Sequence, residues 1–169
     1  MDAVEAIRTR RTHKSFGPEA VSRAALEELF DLARFAPNHH LTQPWRFRVL
    51  GPGALARLKE AAGPADAPKL ERAPTLVVAS ARLGGDELQD AEDLHATAAA
   101  VYAVLLGAHD RGLAGYWRSP AVLRTAEGRE AVGLPDDEHV LGLIHLGPAR
   151  GEPPQREREP VSTYLTFLD

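Results

Sequence analysis

Residues 87 to 111 contain no proline and stop against Gly112, in the place where a helix commonly ends on glycine. A helix of that length spans about 35 Å, more than most small domains can cover. Its second half, "ATAAAVYAVLLGAH", is apolar on almost every side. Such a helix must be enclosed by other elements or by a second subunit, and any fold for this chain has to supply that cover.

With 169 residues, 44% of them hydrophobic and 26% charged, the chain has material for one good core. A single domain over 1–169 is expected. The formal net charge of -4 leaves no broad basic excess for a run of phosphates, which argues against nucleic acid as the partner. The absence of cysteine rules out disulfide and thiolate chemistry. A polar amphipathic start in place of an apolar leader points to the cytoplasm. The most apolar helical stretch, Ala96 to Ala108, is shorter than the ~20 residues of a membrane span, so no membrane partner is expected.

Around the long helix the pattern predicts four shorter ones. Asp2 and Glu5 suggest a capping box for a first helix. Ser22 caps a second, with Leu26, Leu29, Phe30 and Ala33 on one face and Pro37 as its stop. A third follows the Gly51-Pro52-Gly53 turn and ends near Gly63, and another is expected over 122–132. Residues 64–74 read as an exposed connection with room for one helical turn. Strands are predicted at 45–50, where apolar and basic residues alternate, at 75–80 ("TLVVAS") and at 139–147. The terminal "STYLTFL" also alternates, so the arm 148–169 should end in a strand that joins a sheet edge, belonging to a partner chain. Neither G-x-G-x-x-G nor G-x-x-x-x-G-K-[ST] occurs, so a bound phosphate has to be held by side chains.

Three stretches carry chemistry. "RTRRTHKSF" (8–16) gathers four cations with no carboxylate, and Arg10, Arg11 and Thr12 together suit a phosphate, the other reading being a solvated surface run. Lys14 and Arg8 fit the solvated surface under either reading. "APNHHLTQPW" (36–45) crowds Asn38, His39, His40, Thr42 and Gln43 onto one loop, a common place for ligand contacts, though capping and surface histidines account for it as well. The adjacent histidines should point different ways, against a shared metal. "GLAGYWRSP" (112–120) offers glycines for close approach, aromatic faces and the donors of Arg118 and Ser119; a tight turn with a core tryptophan is the alternative. Asp86, Glu87, Asp90, Glu92, Asp93 and His95 lack metal-ligand spacing and complement a helix N-terminus, so no metal is expected.

In this order, "AIRTRRTHKSF", "APNHHLTQPWRFRVL", "DRGLAGYWRSP" and "VLGLIHLGPA" make the chain resemble the nitroreductase family of FMN-dependent oxidoreductases, its small bacterial members above all. The resemblance implies an α+β fold, a small, mostly antiparallel sheet covered by helices, in a homodimer that exchanges its C-terminal strand. It implies FMN as cofactor, NADH or NADPH as hydride donor, and a small electron-poor acceptor such as a nitroaromatic or quinone, reduced in a ping-pong cycle. Relatives that dehalogenate, cleave rings or bind flavin without turnover give the alternative chemistry, and a basic interaction surface without flavin a third reading. Carried across, Arg10, Arg11 and Thr12 would hold the FMN phosphate and ribityl chain. His39 would reach flavin from the neighbouring subunit, with Gln43 near the ring or its side chain. Trp117, Arg118 and Ser119 would close over the cofactor, and flavin N5, not a protein group, would carry the chemistry. Phe35 stands where small relatives tend to place an arginine. Arg156 or Arg158 stands where many members place a cation on the phosphate.

Overall fold

A sheet of four antiparallel strands in the order β1-β2-β4-β3 divides the computed structural model, which describes residues 1–153 and 155–168. The strands are β1 (Trp45–Val49), β2 (Thr75–Arg82), β3 (Leu113–Arg118) and β4 (Glu138–Pro148). Five α-helices surround them: α1 (Ala3–Thr9), α2 (Arg23–Asp31), α3 (Pro52–Asp66), α4 (Glu87–Asp110) and α5 (Ala126–Ala131).

The unbroken apolar run of β2 follows from its central place. Its period of two sends Leu76 and Val78 into one core, with Leu58 of α3, Leu70, Leu123 and Leu134. Val77 and Ala79 enter the other, with Leu26 and Leu29 of α2 and Ala100, Val101 and Val104 of α4. β4 divides in the same way, Leu143 to the first core and Ile144 and Leu146 to the second. The α+β architecture read from the sequence is therefore a sheet with helices on both faces.

α4 is capped by Asp86, whose side chain accepts from the Gln89 amide. Near its C-terminus it is pressed closely into place: a Cβ on Gly107 would stand 2.2 Å from Leu32 Cδ1, and Gly115 of β3 lies under Leu105. Only one side is covered in this way. Leu88, His95 and Tyr102 are exposed, and Ala98, Ala99 and Leu106 are half-buried along the same open side.

Three local expectations change. Residues 113–118, read as a turn, form strand β3, because Gly115 is needed for the approach of α4 and not for a bend. The helix expected over 122–132 is broken: a 3-10 turn, Ala121–Arg124, is followed by Thr125, whose hydroxyl accepts from the Gly128 amide and starts α5 anew. The terminal segment forms a 3-10 turn, Val161–Thr163, and no ladder among the described residues; Tyr164, Phe167 and Leu168 are exposed. The turn expected within 64–74 is present as Ala67–Leu70, and α3 kinks at Gly63, where φ is +71°. No helix of the described residues is long and apolar enough to cross a membrane.

Candidate functional site

Residues 10–17 lie extended along the outer side of β3 and the end of β4. Thr12 bridges to Gly115, the His13 amide donates to the Gly115 carbonyl at 3.2 Å, and the Gly17 amide donates to the Pro148 carbonyl at 2.9 Å. The backbone thus fixes the segment, with Phe16 buried in the core and Arg11, Thr12 and Lys14 facing the space in front. In front of it, Arg150 and the chain beyond close a cleft of about 590 Å³, lined by Arg11, Thr12, Lys14, Tyr116, Glu152, Arg156 and Arg158 among others. Counting Arg150, five cationic side chains converge there on one carboxylate, Glu152, and none of the five belongs to an ion pair among the described residues. Like charges are gathered at this density where an anion is to be held. Arg11 is steadied by α1: one guanidinium nitrogen donates to the carbonyls of Arg8 and Arg10, at 2.5 and 2.9 Å. Arg10 stands elsewhere, its guanidinium 5.9 Å above the Tyr102 ring of α4 and its Nε buried without a partner.

The Trp117-Arg118-Ser119 stretch is positioned by a bulge in β4. The partner of β2 jumps from Gly142, opposite Ala79, to Val140, opposite Ser80, so Leu141 is the extra residue. Its carbonyl accepts from Trp117 Nε1 at 3.1 Å and from Ser119 Oγ at 3.3 Å. Gly142 has φ +144°, and a Cβ there would stand 2.4 Å from the Arg118 carbonyl and 2.7 Å from Trp117 Nε1, so only glycine fits. Trp117 is consequently a pin on the α4 side of the sheet, packed against that core. Tyr116 and Arg118 face the other side. Arg118 has a buried Nε with no partner, and it lines a second cleft of about 280 Å³ with Tyr116, Lys69, Asp66 and Ser119. Tyr116 is the wall common to both clefts, with Lys14 Nζ 5.9 Å from its ring.

Behind Tyr116 lies His145 of β4, fully buried between the rings of Phe16 and Tyr116, both ring nitrogens without a partner. Burial, reinforced by the charges of Arg118 and Arg72, pushes its pKa down to about 4. The imidazole is neutral at physiological pH.

His39 and Gln43 lie far from this place. His39 Nδ1 is 2.7 Å from Glu92 Oε2, and Thr42 donates to the buried Asp93 at 2.6 Å, so the loop is tied to the N-terminal part of α4. His40, Leu41 and Gln43 all have positive φ, between 45° and 53°, a costly state for residues with a Cβ. The left-handed turn stacks the His39 and His40 rings at 3.8 Å, against the expectation that they diverge. No group of three His, Asp or Glu among the described residues is placed to hold a metal ion. The cationic segment sits at the other end of α4, where Thr9 Oγ1 meets His109 Nε2 at 2.8 Å. Glu92 and His109 are separated by about 25 Å along the helix.

Of the residues singled out in the sequence, Arg11 and Thr12 enter the first cleft and Arg118 and Ser119 the second. Arg10, Trp117, His39 and Gln43 are outside both. Tyr116, one of the aromatics of the third stretch, walls both clefts, Arg156 and Arg158 line the first, and Lys14, read as solvated surface, enters it as well; Arg150 and His145 are additions. Lys14 could have been found, since two residues beyond Thr12 in extended backbone is the same side.

The sequence profile of the Nitroreductase family matches residues 7–64 and 61–148, most of the chain. The chain belongs to the nitroreductase family. The Bacillus subtilis (strain 168) relative bearing the name "Putative NAD(P)H nitroreductase YfhC" is 26% identical, over 96% of this chain and 92% of that protein. The crystal structure of a nitroreductase-like family protein from Bacillus cereus superposes with a TM-score of 0.89 at 24% identity, covering 99% of this chain and 96% of that one. A structure described as an FMN and NADPH-dependent nitroreductase, NfnB from "sphigopyxis sp. strain HMH", gives 0.82 at 16% identity, with both chains covered in full. Among nitroreductase-family folds, then, this chain carries its cations at the outer edge of β3.

Proposed function

We propose that two copies of this chain form an FMN-dependent oxidoreductase that passes hydride from NADH or NADPH to electron-poor acceptors such as nitroaromatics or quinones. The observation that carries the proposal is the convergence of Arg11, Lys14, Arg150, Arg156 and Arg158 on a cleft with one carboxylate, continued past Tyr116 to the unpartnered guanidinium of Arg118. A phosphate monoester at neutral pH carries close to two negative charges, which suits the first cleft. A flat ring edge with acceptor atoms suits the second. FMN, when bound, supplies the hydride chemistry at its N5. The protein supplies the rest. Arg11, Thr12 and the arm arginines hold the phosphate, while Arg10, over the Tyr102 ring of α4, stands outside this cleft. Tyr116 supports the ring, and Arg118 gives charge to the edge that becomes electron-rich on reduction. Trp117 and Ser119 hold the end of β3 that carries Arg118 in place through the Leu141 carbonyl.

The dimer is part of the same proposal. His39 and Gln43 cannot reach these clefts within one chain, about 25 Å away along α4, but the same loop on a second copy packed against the open side of α4 can. The exposed tail, with Tyr164, Phe167 and Leu168, would lie on the partner. There the free edge of β1 borders an apolar groove of Val21, Leu26, Phe30, Phe47 and Val49. The test is a visible spectrum of freshly purified protein together with its mass in solution. A yellow dimer whose colour bleaches with NADPH and returns with a quinone is expected. A colourless chain that ignores added FMN overturns the proposal, and a yellow dimer that never bleaches reduces it to flavin binding.

A further inference from the structure

A third cleft, of about 390 Å³, opens beyond the end of β3 and shares Ser119 and Pro120 with the Arg118 cleft. The three therefore stand in a row: the cationic cleft, Tyr116, the Arg118 cleft, Ser119, and then this one. Its polar lining is Ser119, Arg124, Arg129 and His139, and no carboxylate of the described residues lines it. The acids nearby are turned to other work. Glu138 is gripped by Arg48 and Ser80, Asp137 pairs with Arg82 at 3.3 Å, and Asp136 lines an adjoining hollow that shares Arg129 and His139 with this cleft.

The two guanidiniums differ in how they are held. Arg129 is built in, one nitrogen donating to the Pro135 carbonyl at 2.7 Å and to the Glu138 carbonyl at 3.2 Å. Arg124, the last residue of the turn Ala121–Arg124, makes no ion pair and no side-chain hydrogen bond among the described residues. The turn that presents it is rigid, because Gly128 of α5 lies so close under Val122 that a Cβ there would stand 1.8 Å from its carbonyl oxygen. A fixed cation, a free cation and an imidazole around an acid-free hollow form a recognition site for a compact, multiply charged anion.

Resting on the function proposed above, we infer that this cleft receives the 2′-phosphate of NADPH, and that the chain prefers NADPH to NADH. The nicotinamide must lie over the Arg118 cleft to deliver hydride, which leaves the adenosine end to run outward along the row. A monoester phosphate, with nearly two charges and three acceptor oxygens, is the part of NADPH that NADH lacks. The pyrophosphate, common to both nucleotides, is the competing occupant.

The experiment compares both nucleotides on the flavin-loaded protein and on Arg124→Ala and Arg124→Lys. The parent should be at least about tenfold more efficient with NADPH, the effect of one hydrogen-bonded charge pair. Arg124→Ala should reduce that ratio by about the same factor, through KM for NADPH, and Arg124→Lys should restore part of it. In parallel, calorimetry with 2′,5′-ADP and with 5′-ADP should show binding of the first alone, abolished by Arg124→Ala. Equal efficiencies in the parent, or equal losses with both nucleotides in the variant, overturn the inference and assign the cleft to the pyrophosphate or to nothing. If the chain holds no flavin, the function above fails by itself. Loss of 2′,5′-ADP binding in Arg124→Ala would still uphold the cleft, and absence of binding to the parent would overturn it.

Discussion

A flavin site assembled from two chains makes a quantitative prediction for mixed dimers. Let one variant carry Arg11→Ala and Lys14→Ala, which removes two cations from the first cleft, and let the other carry His39→Ala and Gln43→Ala, which empties the loop at the far end of α4. Each charge-assisted contact to a phosphate is worth about 1.5–3 kcal/mol, so the first variant should lose most of its flavin, and the second loses whatever the crossing loop supplies. When the two are unfolded, mixed in equal amounts and refolded, half of the dimers are hybrids. In a hybrid one site gathers every lesion, while the other combines an intact cleft with an intact loop. About a quarter of the sites in the mixture should then be whole, by the symmetry of an isologous pair. Native mass spectrometry counts the hybrids, and flavin absorbance per chain and NADPH turnover count the sites. If each site lay within one chain, every hybrid site would carry one lesion or the other, with no gain over the parents. Hybrids present at the expected half, with flavin no higher than the mean of the separate variants, would refute the reasoning from α4's length.

Arg118→Ala should make the flavin potential more negative, by about 30 mV or more if one charge-assisted contact is lost on two-electron reduction; an unchanged potential in a spectroscopic titration removes Arg118 from the ring edge. His145 makes stability depend on pH. Its folded pKa is depressed, so the unfolded chain takes up a proton that the folded one refuses, and stability present above pH 6.5 is lost as the pH falls towards about 4. At about 1.4 kcal/mol per pH unit the loss reaches roughly 3 kcal/mol, and urea titrations at pH 7 and pH 4 should show it in the parent and not in His145→Leu. Glu138 acts at lower pH: burial opposes its charge, but the bonds from Arg48 and Ser80 outweigh this and hold its pKa below the ordinary value, so its contribution is lost only as the pH falls through that lowered value. Glu138→Gln, leaving Arg48 without its carboxylate, should lower stability at pH 7 by about 2 kcal/mol, read as a shift of the urea midpoint at unchanged slope.

What the sequence revealed of this fold follows the strength of each local signal. β2 is legible because a strand covered on both faces must be apolar throughout, and no other short segment here is. α4 is legible from its length, its capping acids and Gly112. β3 is not, because Gly115 serves a contact with Leu105 that is local neither in sequence nor in pattern, and a second glycine three residues after Gly112 reads as a bend. The break at Thr125 is equally hidden, since a threonine inside a helical pattern becomes a cap only when the preceding turn packs as Val122 does against Gly128. For the site, charge density marked Arg11 and Thr12, but the facing of each side chain depends on the bridge to Gly115. That bridge brings Lys14 into the cleft and leaves Arg10 beside Tyr102. His145 had no sequence signal, since a histidine between apolar residues in a strand looks the same whether its nitrogens are paired or not.

The strained loop and the open helix face bear on one another. Holding His40, Leu41 and Gln43 at positive φ costs about 1 kcal/mol or more each. Within the chain the loop is held by the Glu92 contact to His39, the Asp93 contact to Thr42, Asn38 Oδ1 accepting from the Gln43 amide and the Gln43 carbonyl accepting from Arg46, each worth about 1 kcal/mol, a sum of the same order as the strain. Two of these bonds run to α4, the helix whose other side lies bare. A second copy seated on that side would bury Tyr102 and Leu106, order the helix end that carries Glu92 and Asp93, and give the imidazole of His39 an environment other than water. The conformation costly for a monomer would then be the one selected in the pair, and the contact that covers α4 would deliver the loop to the cations of the other chain.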